Sequence, residues 1–108
     1  MTRLYVAGPM TGLPEYNYPA FNAAADDLRE DGYSVSNPAE IDEDDYPHEG
    51  RPPWDWYMRR ALELVVQADA VALLPGWQDS TGARLETQVA EALGMRMRSV
   101  DEWKRATA

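Results

Sequence analysis

The segment Asp69-Ala-Val-Ala-Leu-Leu74 restricts the fold more than any other part of the chain. After the aspartate it shows no alternation of polar and apolar residues, which is typical of a strand covered on both faces. Pro75 and Gly76 then end the strand. Because a chain of 108 residues has room for only one core, helices are expected on both sides of one sheet. The segment therefore favours an α/β domain.

Strand and helix signals alternate along the rest of the chain. Short runs of strand-forming residues predict strands at residues 3–7, 33–37, 69–74 and 95–100. Apolar residues at helical spacing predict helices at residues 17–32, 54–67 and 80–94, with a short last helix at 101–106. This order predicts a single domain, residues 1–108. Its fold is expected to be a doubly wound, flavodoxin- or Rossmann-like parallel sheet of four to five strands with helices on both faces.

Two further segments have predicted roles. Residues 38–53 are acidic, contain proline and lack a period, so we expect a long surface loop over the sheet edge. Asp79 or Ser80 can cap the third helix, and Glu86 is expected about 100° around the helix from its core-facing side. The core-facing residues predicted for that helix are Leu85, Val89, Ala92 and Leu93.

The charge of the chain limits its partners. Nineteen acidic and ten basic residues give a formal net charge of −9, which would repel a nucleic-acid backbone and an anionic membrane surface. We expect neither as a partner, whereas a small anionic ligand is compatible with a local pocket of backbone amides and arginines. The apolar run at the N-terminus is too short for a signal sequence or a membrane span, so a cytoplasmic protein is expected.

Neither a metal site nor a cofactor is expected. The sequence contains no Cys, and the single His48 cannot form a zinc site by itself. The acidic stretch at residues 40–49 lacks the glycine and the spaced ligands of an EF-hand, which favours a solvated loop. The chemistry of this chain must then come from its own side chains and backbone.

A ligand crevice is predicted at the carboxyl ends of the strands. Ligands of open parallel sheets bind there, and two glycine-bearing loops, residues 8–12 and 75–82, follow the first and third strands. Ser80 and Gly82 supply a hydroxyl and unhindered amides that suit a phosphate or a sugar hydroxyl. Glu86 follows Gly82 by four residues and shares its helix face, where the glycine leaves space for a ligand. The alternative is structural, because serine caps helices and the helix dipole favours an early glutamate.

Three motifs together resemble a known family. They are Tyr5-Val-Ala-Gly-Pro-Met-Thr-Gly12, Asp69-Ala-Val-Ala-Leu-Leu-Pro-Gly-Trp77 and Ser80-Thr-Gly-Ala-Arg-Leu-Glu86. They are similar to the nucleoside 2-deoxyribosyltransferase superfamily, in particular to its short DUF4406-type members in bacteria and phages.

The resemblance implies roles for individual residues. Glu86 would be the nucleophile that attacks the anomeric carbon of a deoxyribose, and Tyr5 would position it. Ser80 resembles the phosphate-contacting serine of the deoxynucleoside 5′-monophosphate N-glycosidase branch. The resemblance also implies a homodimer or higher homo-oligomer, with sites completed across a subunit interface. Relatives carry a second acid at the position of Ala61, where Asp55 is a candidate substitute.

The remaining candidates surround this centre. Trp77, at the end of the third strand, is a candidate wall for a nucleobase, although Trp54, Trp56 and Tyr57 are equally suited to that role, to the core or to an interface. Asn37 can reach the base or sugar, or serve the turn at Asn-Pro. The predicted substrate-binding residues are Gly8, Pro9, Met10, Gly12, Asn37, Asp55, Trp77, Ser80 and Gly82.

Two functions follow from this reading. The first is cleavage of an N-glycosidic bond, or deoxyribosyl transfer, on a deoxynucleoside or its 5′-monophosphate. The second is a non-catalytic nucleotide-binding or sequestering protein that keeps the crevice but lacks the acid at Ala61. A phosphoribohydrolase of the cytokinin type ranks last, because its usual two-glycine run is missing.

Overall fold

The computed structural model describes residues 2–106. Its centre is one sheet of four parallel strands in the order β2-β1-β3-β4, which confirms the predicted doubly wound fold. Strands β1 and β3 are direct neighbours, with Tyr5 opposite Val71. The loops that follow these two strands therefore lie side by side at the carboxyl edge. The strands are β1 (Arg3–Ala7), β2 (Ser34–Ser36), β3 (Ala70–Leu73) and β4 (Arg96–Ser99).

Helices cover both faces of the sheet, as the unbroken apolar run of β3 requires. Side chains of β1 alternate between the two faces, with Leu4 and Val6 on one side and Tyr5 and Ala7 on the other. All four are fully buried. The helices are α1 (Tyr18–Glu30) and α4 (Val100–Arg105) on the Leu4 side, and α2 (Trp54–Gln67) and α3 (Thr81–Ala92) on the Tyr5 side.

Helix α1 lies within the predicted range, residues 17–32, and its buried residues Phe21, Ala24, Ala25 and Leu28 recur at helical spacing. None of the helices within residues 2–106 is long and apolar enough to cross a membrane. The last helix begins at Val100, because Ser99 and Glu102 form a capping box there. The predicted fourth strand, residues 95–100, is correspondingly shorter.

The predicted core stripe of α3 is wrong except at Val89, which is half-buried against the core. Leu85 and Leu93 are exposed, by 36% and 56%. The residues that face the core are Ala83, Glu86, Thr87 and Ala90. Two small alanines on the buried side let the helix approach the sheet closely, whereas leucines would hold it away. Glu86 therefore lies within the buried stripe and not beside it.

Residues 38–53 form a surface segment with two short 3₁₀ turns, Pro38–Glu40 and Glu43–Asp45. The first turn is fixed to α1 by an ion pair between Arg29 Nη1 and Glu40 Oε2 at 2.9 Å. The hydrogen bond with Glu40 holds the pKa of Arg29 above its ordinary value and, in return, the pKa of Glu40 below its own. The segment is thereby anchored at one end as it crosses the carboxyl edge of the sheet.

Candidate active site

A cleft of about 290 Å³ opens at the carboxyl edge of the sheet. It lies where the loops after β1 and β3 meet the first turns of α2 and α3, as expected for this class of fold. Residues 38–53 contribute to its rim. The residues that line it are Gly8, Met10, Thr11, Tyr16, Tyr18, Phe21, Pro38, Ile41, Arg51, Pro52, Trp54, Tyr57, Met58, Ala61, Ser80, Gly82, Ala83 and Glu86.

Glu86 and Tyr5 form a hydrogen-bonded pair at this cleft. The hydroxyl of Tyr5 on β1 donates to Oε2 of Glu86 on α3. Tyr5 is fully buried, and Glu86 is 6% exposed. No second hydrogen bond reaches the Glu86 carboxylate from residues 2–106, so Oε1 is available to a ligand.

Burial controls the protonation of this pair. It raises the pKa of Glu86 to about 7, and the hydrogen bond from Tyr5 opposes that rise. Burial, together with the neighbouring carboxylate, raises the pKa of Tyr5 well above its ordinary value. Tyr5 consequently stays protonated and remains a donor, while Glu86 changes charge near neutral pH. A carboxylate poised in this way is characteristic of catalytic sites.

The start of α3 forms a second wall of the cleft. Ser80 caps the helix, because its Oγ accepts a hydrogen bond from Ala83 N at 3.2 Å. A Cβ on Gly82 would lie 3.2 Å from Met58 Sδ. The absence of a side chain at position 82 therefore allows α3 to pack closely against α2. This packing explains the glycine better than the predicted space for a ligand does. The first-turn amides of the helix remain as donors for an anion.

The loop after β1 forms the opposite wall. A Cβ on Gly8 would lie 2.7 Å from Leu74 Cβ, so the two crossing loops meet only because position 8 has no side chain. Glu15, Tyr16 and Asn17 then follow one another with left-handed φ angles of 53°, 52° and 60°. Side chains other than glycine rarely adopt this conformation, and three in succession form a strained turn. Asn17 Nδ2 holds the turn by donating to Pro9 O at 3.0 Å.

The structure brings some of the predicted site residues together. Gly8, Met10, Ser80, Gly82 and Glu86 line the cleft, with Tyr5 hydrogen-bonded to Glu86. The other predicted binding residues do not line it: Pro9, Gly12, Asn37, Asp55 and Trp77.

Each of these outlying residues has a different setting. Asn37 is buried at a second cavity. Its Oδ1 accepts a hydrogen bond from Ala39 N, and its Nδ2 donates one to Asn22 Oδ1, so the side chain stabilises the turn. Asp55 is exposed on the first turn of α2, and Trp77 begins a 3₁₀ turn after β3. Gly12 is exposed in a turn with a φ of 83°.

Several lining residues lay outside the sequence-based prediction. Tyr16 and Arg51 belong to segments without a period, and Tyr18 is the first residue of α1, outside its buried stripe, so no sequence pattern placed them at the cleft. A cluster of aromatic residues just after the β1 loop was the available signal for the two tyrosines. Tyr57 donates a hydrogen bond to Oε1 of Glu43, which ties residues 38–53 to α2. Burial first, and the Glu43 carboxylate second, raise the pKa of Tyr57.

The position at which the resemblance implies a second acid in relatives is occupied by an alanine. Ala61 lines the cleft and is 4% exposed. Among the lining residues of the described chain, Glu86 carries the only carboxylate. The other groups that can hold a proton for a leaving group there are hydroxyls.

Comparisons with known proteins agree with this architecture. The sequence model of the family described as "Domain of unknown function (DUF4406)" matches residues 2–99. A search of curated proteins found no match. Among solved structures, the chain is similar to a 2-deoxyribosyltransferase from the psychrotolerant bacterium Bacillus psychrosaccharolyticus, a biocatalyst for nucleoside synthesis. The TM-score is 0.65 at 23% identity, over 88% of this chain and 69% of the other. At this identity the similarity establishes the fold.

Proposed function

The chain belongs to the DUF4406 family and has the fold of the nucleoside 2-deoxyribosyltransferase superfamily, and from its cleft we propose that it cleaves or transfers an N-glycosidic bond. The substrate class is a deoxynucleoside or its 5′-monophosphate. The observation that carries the proposal is the buried Glu86, held by Tyr5 with its second oxygen available to the cleft.

Glu86 is the proposed nucleophile. In its ionised form, Oε1 attacks the anomeric carbon of the sugar, the carbon–nitrogen bond breaks, and its electron pair leaves with the base. Tyr5 fixes the other oxygen, which orients the attack. The departing base takes up a proton from solvent. Water or an acceptor base then attacks the anomeric carbon and gives up a proton to solvent, while the bond between the sugar and Glu86 breaks and frees the carboxylate. Cleavage builds positive charge on the sugar, which the adjacent carboxylate stabilises.

Release of free base tests the proposal. Deoxynucleosides, deoxynucleoside 5′-monophosphates and their ribo counterparts would each be incubated with the protein, and the products separated by chromatography. We expect base release from deoxy substrates. Adding a second free base distinguishes transfer, which gives a new nucleoside, from hydrolysis, which does not. Absence of base release from every substrate, with and without acceptor, would contradict the proposal.

A second function is favoured by one observation, the absence of a second carboxylate among the described lining residues. A protein that binds nucleotides without cleaving them needs only the cleft and the start of α3. In that case the same nucleotides would raise the melting temperature without releasing base. The two functions therefore give opposite results in paired assays on one set of ligands.

Tyr5→Phe is expected to change the pH dependence of catalysis. The substitution removes the hydrogen bond that lowers the pKa of Glu86, so more of the carboxyl is protonated and inactive near pH 7. The rising limb of the plot of kcat/KM against pH should shift to higher pH by roughly one unit, given the usual energy of a hydrogen bond to a charged group. Tyr33→Phe is the matched control, because Tyr33 donates to Trp103 O on the other face of the sheet. An unchanged limb in Tyr5→Phe would contradict the positioning role.

We also propose that the protein is a homo-oligomer. Exposed apolar side chains of α2 and α3, namely Val66, Leu85 and Leu93, are 56%, 36% and 56% exposed. Apolar residues concentrated on neighbouring helices are typical of an interface. Light scattering after gel filtration should give a molar mass that is a multiple of the 12.2 kDa chain mass. Leu85→Glu should lower this measured mass. A wild-type mass of a single chain would overturn this proposal.

A further inference from the structure

Arg51 lines the cleft from the end of the 38–53 segment, opposite the start of α3. It is the one basic residue among the lining residues of the described chain. Its guanidinium forms no ion pair with a carboxylate within residues 2–106. Its hydrogen-bond donors are available to a ligand.

Tyr16 holds Arg51 at that position. The guanidinium carbon of Arg51 lies 4.6 Å from the centre of the Tyr16 ring, within the range of a cation–π contact. Tyr16 is the middle residue of the strained left-handed turn. Strain of this kind persists where the surrounding structure requires it and is concentrated at ligand clamps. The turn therefore presents an aromatic ring that orients a planar cation.

The cleft has one group of each charge. Glu86 supplies the negative charge and Arg51 the positive charge. Ser80 and Gly82, at the start of α3, line the same cleft, and the hydroxyls and free amides of a helix start can donate to anions. A ligand with an electrophilic sugar and a remote anionic group matches this distribution. A neutral nucleoside offers no anionic group to the guanidinium.

We propose that Arg51, oriented on Tyr16, is the residue that selects an anionic substrate by binding its phosphate monoester. The inference rests on the proposed function and assigns to that cleft a preference for the 5′-monophosphate over the nucleoside. A guanidinium forms two parallel hydrogen bonds with phosphate oxygens, and both carry charge. Arg51 is thus a specificity residue, and it takes no part in bond cleavage.

Binding to protein that cannot turn over tests this inference separately from catalysis. Calorimetry would use Glu86→Gln protein, with a deoxynucleoside and its 5′-monophosphate as the two probes. Arg51→Gln in that background should weaken monophosphate binding by about 10- to 100-fold, the usual effect of lost charged hydrogen bonds. Nucleoside binding should stay within about twofold. Arg51→Lys keeps the positive charge but loses the planar pair of donors. Its affinity for the monophosphate should therefore lie between those of the proteins with arginine and with glutamine at position 51.

Arg96→Gln is the matched control, because Arg96 is exposed at the amino end of β4, away from the cleft. It removes the same charge and should leave both affinities unchanged. Equal effects of Arg51→Gln and Arg96→Gln, equal loss for nucleoside and monophosphate, or no monophosphate binding at all would each overturn the inference. Arg51-dependent monophosphate binding without base release by the wild-type protein would refute the proposed catalysis and leave the anion site standing.

Discussion

Glu86→Gln is expected to lower base release on the order of 10³-fold or more, as is usual when a nucleophile is removed. Glutamine has nearly the shape of glutamate and keeps an oxygen to accept the Tyr5 hydrogen bond. It has neither the charge nor the nucleophilicity that the reaction needs. The measurement is kcat/KM for base release on the best substrate of the panel.

Glu91→Gln is the control for this substitution. Glu91 lies on the same helix α3, but it is exposed and does not line the cleft. The two variants make the same chemical change, so a difference between them reports the position alone. If Glu86→Gln retains activity within a few-fold of Glu91→Gln, then Glu86 is not the nucleophile.

The same Glu86→Gln substitution should stabilise the protein at neutral and alkaline pH. The pKa of Glu86 rises from 4.5 to about 7 on folding. Between these values the unfolded chain has released the proton that the native state still holds, so the free energy of unfolding falls as pH increases. At about 1.36 kcal/mol per pH unit, the loss reaches roughly 3 kcal/mol above pH 7. Glutamine stays neutral and does not suffer this loss.

Melting temperatures of ligand-free protein at pH 5 and pH 8 measure the effect. The advantage of Glu86→Gln over wild type should be small at pH 5 and approach roughly 10 to 20 °C at pH 8, for a domain of this size. Glu91→Gln serves again as the control, since its carboxylate is exposed. A gain in melting temperature that is the same at both pH values would show that burial does not raise the pKa of Glu86.

The parallel sheet could be predicted because its signal is local. The apolar run of β3 and the glycine-bearing loops specify buried strands and where they end, whichever residues pack against them. The rotation of α3 could not be predicted, since both its leucines and its alanines occur at helical spacing. The choice between these faces depends on how closely α3 must approach Met58 and Tyr5, which is a tertiary constraint.

The residues of the candidate site likewise fall into two groups, those that local sequence predicts and those that only the tertiary structure places. Glu86, Ser80 and Gly8 lie beside regular elements and could be inferred from spacing. Arg51 and Tyr16 reach the cleft through aperiodic segments, whose path depends on turns such as the left-handed one at Glu15 to Asn17. Trp77 and Asn37 have the right chemistry, but they do not line the cleft.

The pairing of Tyr5 with Glu86 joins residues that are 81 positions apart. Along the chain, three strands and two helices precede Glu86, beginning with the strand that carries Tyr5. Until α3 packs beside β1, the Tyr5 hydroxyl has no carboxylate to which it can donate its hydrogen bond, and bringing together residues so far apart in sequence is slow. The proposed catalytic pair therefore forms only when α3 packs against the sheet, so a chain that ends before α3 would contain three of the four strands but not this pair.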